Sequence, residues 1–426
     1  MTSQHPELLA AYERLERLGR PLNAVVSVAP APARAADGPL AGEPVAVKDI
    51  IAVEGLPTRC GSPASDPAPA AADATVVSRL RAAGAAVFAT TQCLEYAAGF
   101  AHPLIGDTRN PRDPARTSGG SSGGSAAVVA AGVCDLALGT DTGGSVRIPA
   151  AYCGVVGLKP SYGAVPVAGV FPLSPTCDHV GTLTATVAGA ARLFGVLAGG
   201  EPAGGVLAGI GPARGERFTV GVLAGQLADP SVTPEVRAAV DGALTRLRAA
   251  GWTVAELAPP WLDGLATEWS QVLTVIVARE AAAVHRGRDT GRYADGTRAL
   301  LAFGAAVSDE RYELALARRA VLTAAIDESL AGVDVLAGPT VGFQAPEQDP
   351  PFGVGEDSGE GRFTGPYNLT GHPAISLPVP ADGLPAGVQL AGRRGGDWPL
   401  LRAAAACERV LADVRPAGEP SSRPKA

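Results

Sequence analysis

Lysine is scarce in this chain, as are methionine, aromatic residues and long apolar runs. Its only lysines are Lys48, Lys159 and Lys425, it has one methionine, and 5% of its 426 residues are aromatic. The net charge is −7 and there is no basic run that could follow a phosphate backbone, so we expect no nucleic-acid partner. No apolar run approaches the ~18 residues that a membrane span requires, so we expect no membrane partner either.

The cysteines are scattered and follow no pattern. They stand at positions 60, 93, 134, 153, 177 and 407 without a C-x-x-C pair, and several lie in the apolar context that is typical of buried free thiols. No group of His, Cys and Asp has the spacing of metal ligands, so we expect neither a metal nor a cofactor. The N-terminus is charged and lacks the apolar region of a signal peptide, which predicts a cytoplasmic protein.

The succession of apolar segments predicts an α/β fold. Residues 218–257 contain a strand, a helix and a second strand, a unit that favours parallel pairing within a mixed sheet. Upstream, Pro44–Lys48 is a short β-branched strand, and a helix over Thr75–Ala83 leads to a strand over Ala86–Thr90. Further predicted helices cover 6–18, 265–287, 309–330 and Pro399–Ala412, and further predicted strands cover Val333–Leu336, Ala374–Pro378 and Ala386–Leu390.

Length alone allows two or three domains, but large single α/β enzymes also reach this size, and we expect one domain over residues 1–415. Within it, a first part covers about 40–200 and a smaller C-terminal part covers about 217–412. The acidic segment 345–362 has no periodicity, and a loop of that length is a candidate lid over a site. The last residues, 416–426, are expected to form a disordered tail.

Two loops rich in glycine and serine flank a stretch that is mostly alanine and valine. The first reads GGSSGGS and opens a predicted helix over Ser125–Gly132; a predicted strand over Asp135–Leu138 then leads to the second loop, DTGGS. The glycines let the backbone approach a substrate closely, and serines at the ends of regular elements are held in place. A lysine on an apolar strand, Lys48 in PVAVKD, is the third notable feature.

This ordered set of motifs resembles the amidase signature family of serine amidohydrolases. The resemblance rests on PVAVKD, GGSSGGS and DTGGSVRIPAAYCGVVGLKP, and it returns in FTGPYNLTGHPAISLP and LPAGVQLAG. It implies a single α/β domain with a central, mixed, twisted sheet that helices cover on both faces. It also implies a Ser-cisSer-Lys triad, with Ser145 as the nucleophile, Ser121 as a bridging serine after a cis peptide bond, and Lys48 as the terminal base.

The residues themselves are consistent with these roles. A lysine accepts a proton only when its pKa falls well below ~10.4, and the apolar neighbours of Lys48 would lower it by burial. By the same resemblance, the oxyanion hole is formed by four consecutive backbone N–H groups, those of Thr142, Gly143, Gly144 and Ser145. The side chains expected to support the site are Ser122, Thr140, Asp141 and Arg147. Either Asp141 and Arg147 pair to fix the loop, or they form a plain surface ion pair.

A different catalytic arrangement is also compatible with the first loop. Gly120–Gly124 fits G-x-S-x-G, the nucleophile elbow of α/β-hydrolases, with Ser122 at its centre. That interpretation requires an acid and a histidine later in the chain, where only His179, His285 and His372 are found. It also leaves DTGGS and Lys48 unexplained. We interpret His179 as a structural histidine.

The segment TTQCLEYAAG departs from the family pattern. Gln92 and Tyr96 stand where the family often has asparagine and phenylalanine. The side chains of Gln92, Cys93, Leu94 and Tyr96 either line the substrate pocket or pack in the core.

The sequence therefore predicts an amidase that hydrolyses a linear carboxamide C–N bond through a covalent acyl-enzyme. Its expected partner is a small-molecule amide, and a homodimer is possible. One alternative is the glutaminase-type subunit of an amidotransferase, which works with a partner protein. The other is a non-catalytic protein that has kept the fold.

Overall fold

The computed structural model describes residues 6–30, 37–200, 215–259, 265–350 and 359–412. The predicted tail and the middle of the predicted lid lie outside these ranges. No helix among the described residues is both long enough and apolar enough to cross a membrane.

Most strands of the described chain belong to one sheet of eleven strands, and the short β4 and β5 pair separately. In chain order the strands are β1 (Val25–Val28), β2 (Pro44–Lys48), β3 (Ala86–Thr91), β4 (Arg109–Asn110), β5 (Asp113–Thr117), β6 (Leu136–Asp141), β7 (Val156–Lys159), β8 (His179–Thr184), β9 (Thr219–Leu223), β10 (Thr253–Leu257), β11 (Val335–Pro339), β12 (Ala374–Val379) and β13 (Ala386–Ala391).

The large sheet is mixed. Its order is β1-β3-β2-β6-β8-β7-β12-β13-β11-β9-β10. β2 runs parallel to β3 and β6, and β9 runs parallel to β10 and β11, whereas the remaining neighbours are antiparallel. The parallel pairing predicted for the unit at 218–257 is thus confirmed, and so is the mixed α/β sheet.

Helices lie in several of the connections between the strands. In chain order they are α1 (Pro6–Arg14), α2 (Thr75–Ala82), α3 (Gly123–Ala130), α4 (Arg147–Cys153), α5 (Val187–Ala198), α6 (Pro234–Ala249), α7 (Leu265–Val284), α8 (Asp295–Ala306), α9 (Asp309–Ser329), α10 (Gly365–Leu369) and α11 (Asp397–Ala412).

The sheet is buried on both faces, as β2 shows. Val45 and Val47 pack into the larger hydrophobic core with α2 and α5, while Ala46 packs into a second core with α1 and α3. Successive side chains of a strand point to opposite faces, so a strand covered on both faces is apolar throughout. Lys48 ends this strand and is fully buried as well.

Several boundaries and short elements differ from the sequence prediction. The helix expected over Ser125–Gly132 covers Gly123–Ala130, and the strand expected over Asp135–Leu138 covers Leu136–Asp141, so it reaches the second serine loop directly. The elements that were not predicted are β1, β4, β5, β7, β8, α4, α5, α8 and α10. Most of them are short, but α5 and α8 have 12 residues each. In these segments tertiary packing determines the conformation more than local propensity does.

Candidate active site

Lys48 reaches from the end of β2 to the first serine loop. Its Nζ donates hydrogen bonds to Ser121 Oγ at 2.7 Å and to Thr140 Oγ1 at 2.8 Å. Thr140 lies on β6, which pairs in parallel with β2, so the sheet places the two side chains at the same edge. The structure therefore brings Lys48, Ser121 and Thr140 together in one buried cluster.

Burial changes the acid–base behaviour of this lysine. Removal from water lowers the pKa of Lys48 to about 8, although nearby acidic groups, among them Cys93 and Asp141, favour its charged form. A lysine with an ordinary pKa would be almost wholly protonated at neutral pH. The lowered pKa gives Lys48 a larger neutral fraction than an ordinary lysine has, and this neutral form can accept a proton.

The two serine loops meet beside this cluster. The Gly120–Ser121 peptide bond is cis, and Ser121 precedes the first turn of α3. The backbone N–H of Ser122 donates to the carbonyl oxygen of Ser145 at 3.1 Å, which ties the first loop to the second. Ser121 and the half-buried Ser145 line the same narrow cavity, hereafter the serine cavity.

The second loop leaves its backbone donors unused. Among the described residues, the N–H groups of Thr142, Gly143, Gly144 and Ser145 make no hydrogen bond to the protein, whereas Val146 N donates to Asp141 Oδ2 at 3.2 Å. Thr142 and Gly143 line the serine cavity together with Ser145. A row of free N–H groups next to a serine can bind a developing oxyanion.

The side chain of Arg147 fixes this loop from behind. Its guanidinium forms two hydrogen bonds of 3.0 Å with the carboxylate of Asp141, and both side chains are fully buried. Burial alone would raise the pKa of Asp141, but Arg147 holds it well below its usual range. Of the two interpretations left open by the sequence, the pairing that fixes the loop is the observed one, and the surface ion pair is wrong.

Three residues from the C-terminal part complete this network, and the sequence had suggested no role for them. Arg147 donates to the carbonyl oxygen of Thr364 at 3.0 Å, to Gln389 Oε1 at 2.6 Å and to Asn368 Oδ1 at 2.6 Å. They stand in FTGPYNLTGHPAISLP and LPAGVQLAG, so the only available signal was the family resemblance of those stretches.

Ser122 has a supporting role in this arrangement. Its buried Oγ donates to the carbonyl oxygen of Thr140 at 3.1 Å and accepts from the N–H of Thr140 at 3.2 Å. A hydroxyl held in this way is not available as a nucleophile. The structure therefore disfavours the nucleophile elbow centred on Ser122.

The residues of the TTQCLEYAAG segment separate into two groups. Leu94 and Ala97 line the serine cavity, but the described cavities are not lined by Gln92, Cys93 or Tyr96. All three are buried, and the ring of Tyr96 packs against Phe171 with 5.0 Å between ring centroids. Their placement favours the packing alternative over the pocket alternative.

A larger cavity adjoins the serine cavity. Its volume is about 320 Å³, and Ala97, Thr142 and Leu173 line both spaces. Two polar residues of its wall, Asp178 and His179, follow one another in PTCDHVG. Most of its other lining residues belong to the segment 167–173, and this space is hereafter called the 167–173 cavity.

The polar groups of this cavity are held by the protein, except for His179 Nε2, which is buried without a hydrogen-bond partner among the described residues. Asp178 accepts from the hydroxyl of Thr142 at 2.7 Å, and burial raises the pKa of its carboxyl to about 6. His179 Nδ1 lies 2.7 Å from the carbonyl oxygen of Cys177, and burial lowers the pKa of the ring well below its ordinary value. His179 is therefore neutral with its proton on Nδ1, as a structural histidine would be.

One acidic residue of the serine cavity was also missed by the sequence analysis. Glu360, in the candidate lid segment, lines the cavity and accepts a hydrogen bond from the hydroxyl of Tyr152 at 2.9 Å. Burial and the neighbouring Asp349 raise the pKa of Glu360 above its ordinary range.

No group of three or more His, Cys, Asp or Glu side chains in the described chain is arranged to hold a metal ion.

Comparison with known proteins gives this geometry a family. The family model described as Amidase matches residues 8–401. The chain belongs to the amidase signature family. It is thus an amidase-family hydrolase that acts on carbon–nitrogen bonds.

Individual members of the amidase signature family resemble the chain over nearly its whole length. It is 39% identical over 420 residues to a glutamyl-tRNA(Gln) amidotransferase subunit of Halobacterium salinarum, covering 88% of this chain and 97% of the relative. It is similar to a crystal structure of an amidase, with a TM-score of 0.83, 34% identity and coverage of 96% and 97%. It is also similar to 6-aminohexanoate cyclic dimer hydrolase in complex with substrate, with a TM-score of 0.82, 28% identity and coverage of 96% and 94%.

Proposed function

We propose that the protein hydrolyses a linear carboxamide through a covalent acyl-enzyme formed on Ser145. The observation that carries this proposal is the buried contact of 2.7 Å between Lys48 Nζ and Ser121 Oγ beside the cavity that Ser121 shares with Ser145. A serine hydroxyl is a weak nucleophile until a neighbouring base removes its proton. Lys48 is the base and Ser121 is the relay.

In the first half-reaction Ser145 Oγ attacks the amide carbonyl carbon. Its proton passes to Ser121 Oγ while Ser121 gives its own proton to neutral Lys48 Nζ. The C–N bond then breaks, the leaving nitrogen takes a proton from Ser121, and Lys48 returns one to Ser121. Water repeats this sequence on the ester, releasing the carboxylic acid and regenerating Ser145.

The free N–H groups of the second loop stabilise the oxyanion of each tetrahedral intermediate. Because they already face no internal acceptor, they require little rearrangement when negative charge develops on the carbonyl oxygen. The pair of Asp141 and Arg147 keeps the loop in this conformation. In each half-reaction Lys48 accepts a proton and returns it, while these N–H donors stabilise the negative charge on the carbonyl oxygen.

Covalent labelling tests this proposal. The intact mass is measured after exposure to a fluorophosphonate probe, on the wild type and on the Ser145→Ala and Ser122→Ala variants. We expect one adduct in the wild type and in Ser122→Ala and none in Ser145→Ala. An adduct that persists in Ser145→Ala would contradict the proposed nucleophile.

A second candidate function is supported by the curated relatives. Several are subunits of glutamyl-tRNA(Gln) amidotransferases, with identities of 34–39%. In that case the chain would release ammonia from an amide donor for use by a partner protein. It predicts weak hydrolysis by the isolated chain and stimulation by a co-purifying partner, whereas the proposed amidase works alone.

A further inference from the structure

The 167–173 cavity is suited to an apolar group. Its aliphatic and aromatic lining residues include Ile50, Val167, Val170, Phe171, Leu173 and Val180. Its volume of about 320 Å³ leaves room for a hydrocarbon group of several carbon atoms. Since it shares wall residues with the serine cavity, a substrate at Ser145 can extend into it.

The polar side chains of this wall are largely occupied within the protein. Thr140 Oγ1 accepts from Lys48, and Thr142 Oγ1 donates to Asp178. Both carboxylate oxygens of Asp178 accept from backbone N–H groups, at 2.9 Å from Leu173 and 3.0 Å from Ser174. Apart from His179 Nε2, which has no partner among the described residues, the remaining surface offers contacts to hydrocarbon.

The described residues that line the two cavities include no lysine or arginine. Their ionisable groups are the carboxyls of Asp178 and Glu360 and the neutral imidazole of His179. Arg147 lies behind the loop and is occupied by Asp141. Arg288 stacks over the ring of Phe171 at 4.9 Å but is exposed and does not line the cavity.

A carboxylate brought into this space would have no cation to pair with. Burying an unpaired charge carries a large free-energy penalty, whereas burying apolar surface is favourable. A zwitterion such as glutamine, with a carboxylate close to the amide to be cleaved, is therefore a poor match. A neutral amide with a hydrocarbon group is a good match.

We infer that the substrate is a neutral carboxamide with an apolar group of several carbon atoms, which the 167–173 cavity binds. This inference rests on the proposed hydrolysis and specifies its substrate class. The apolar group belongs to either the acyl or the amine side of the scissile bond. The same recognition chemistry serves both, and the assay distinguishes them.

The test compares kcat/KM for three kinds of amide. The acyl arm uses propionamide and hexanamide, the amine arm uses N-methylacetamide and N-hexylacetamide, and L-glutamine represents the zwitterion. Burial of each methylene is worth about fourfold in kcat/KM, so we expect the longer member of one pair to be at least tenfold better. We expect glutamine to be at least 100-fold poorer than that member.

Two substitutions test where the chain binds. Ala168 and Val167 are exposed at the rim and line the cavity, so Ala168→Trp and Val167→Trp would fill it. We expect each to lower the ratio of kcat/KM for the longer over the shorter amide at least tenfold. Ala317→Trp, at an exposed alanine on α9 outside both cavities, is the matched control and should keep the wild-type ratio.

The outcomes separate this inference from the proposed function. Hydrolysis of small amides without a chain-length preference, a preference for glutamine, or an unchanged ratio in both tryptophan variants would overturn the substrate assignment alone. Failure to hydrolyse any amide, together with no fluorophosphonate adduct on Ser145, would overturn the proposed function and the inference with it.

Discussion

The guanidinium of Arg147 and the carboxylate of Asp141 form a fully buried ion pair directly behind the loop that carries Ser145. The two hydrogen bonds between them are each 3.0 Å long, and no part of either side chain is exposed. Buried pairs of this kind do not necessarily add stability, but the loss of one partner leaves an uncompensated charge. The pair therefore makes the loop conformation depend on both residues.

Replacing Asp141 with alanine should lower the free energy of unfolding by about 3–5 kcal/mol, since Arg147 would remain buried without its counter-charge. Urea unfolding measures this change. Asp295→Ala removes the exposed partner of Arg298 and should alter stability by less than about 1 kcal/mol. Equal losses from the two substitutions would contradict the role of the buried pair.

The rate should increase with pH as Lys48 loses its proton. Since its pKa is lowered to about 8 by burial, kcat/KM for a neutral amide should rise with a midpoint near pH 8 and level off above about pH 9. Lys48→Met should reduce kcat/KM by about 10²–10⁴-fold at all pH values. The measurement is a pH profile from 6 to 10.

Lys159 provides the control for this profile. It is also fully buried, burial lowers its pKa to about 7, and its Nζ donates to the carbonyl oxygen of Pro160 at 2.9 Å, away from the serines. Lys159→Met should leave the midpoint of the rising limb unchanged. Loss of the limb in this variant would assign the pH dependence to Lys159.

Gly144→Ala should damage the proposed oxyanion site. Gly144 has a φ of +139°, and a Cβ at this position would collide with Thr364 Oγ1 and Ile148 Cδ1, so the loop and its N–H groups would have to move. We expect kcat to fall by about 10²–10³-fold. Gly163→Ala, at a φ of +78° with open space around it, tests backbone strain alone and should keep kcat.

The cysteines should be inert in the folded protein. All six are buried, and burial raises the pKa of each thiol, for example to about 11 for Cys177 and about 12 for Cys134. Thiolate is the reactive form, so a disulfide reagent at pH 8 should modify fewer than about one thiol per chain. The same reagent in guanidinium chloride should modify all six. Rapid modification without denaturant would show that a cysteine is accessible.

The sequence was most informative where the site is local. Lys48, Ser121 and Ser145 were proposed from short motifs. The sheet places Lys48 beside Thr140 because β2 and β6 are neighbours, and Ser122 holds the loop of Ser121 against Thr140. The apolar neighbours of Lys48 also predicted its lowered pKa correctly, since burial is a property of the strand itself. Gln92 and Cys93 illustrate the opposite case, because a segment close to the site does not reveal which of its side chains face the cavity.

Residues of the site that lie far from the motifs in sequence were not identified from the sequence. Asn368 and Gln389 contact Arg147 across 221 and 242 positions of sequence, and neither stands in a motif that indicates such a contact. Glu360 lies in a segment without periodicity, so only the folded chain shows that it faces Ser121 and Ser145. Contacts of this range are set by the order of strands in the sheet, which the sequence pattern predicted only as mixed.

The long sequence distance between Arg147 and its hydrogen-bond partners affects when the loop of Ser145 can be fixed during synthesis. Lys48, Ser121 and Ser145 are synthesised long before Thr364, Asn368 and Gln389. The loop that holds Ser145 is nevertheless anchored by these three later residues, through Arg147. A polypeptide that ends before these residues would contain the serines and the lysine but would lack the hydrogen bonds from Arg147 that fix the loop. The loop of Ser145 can therefore be anchored only after the segment up to Gln389 has been synthesised.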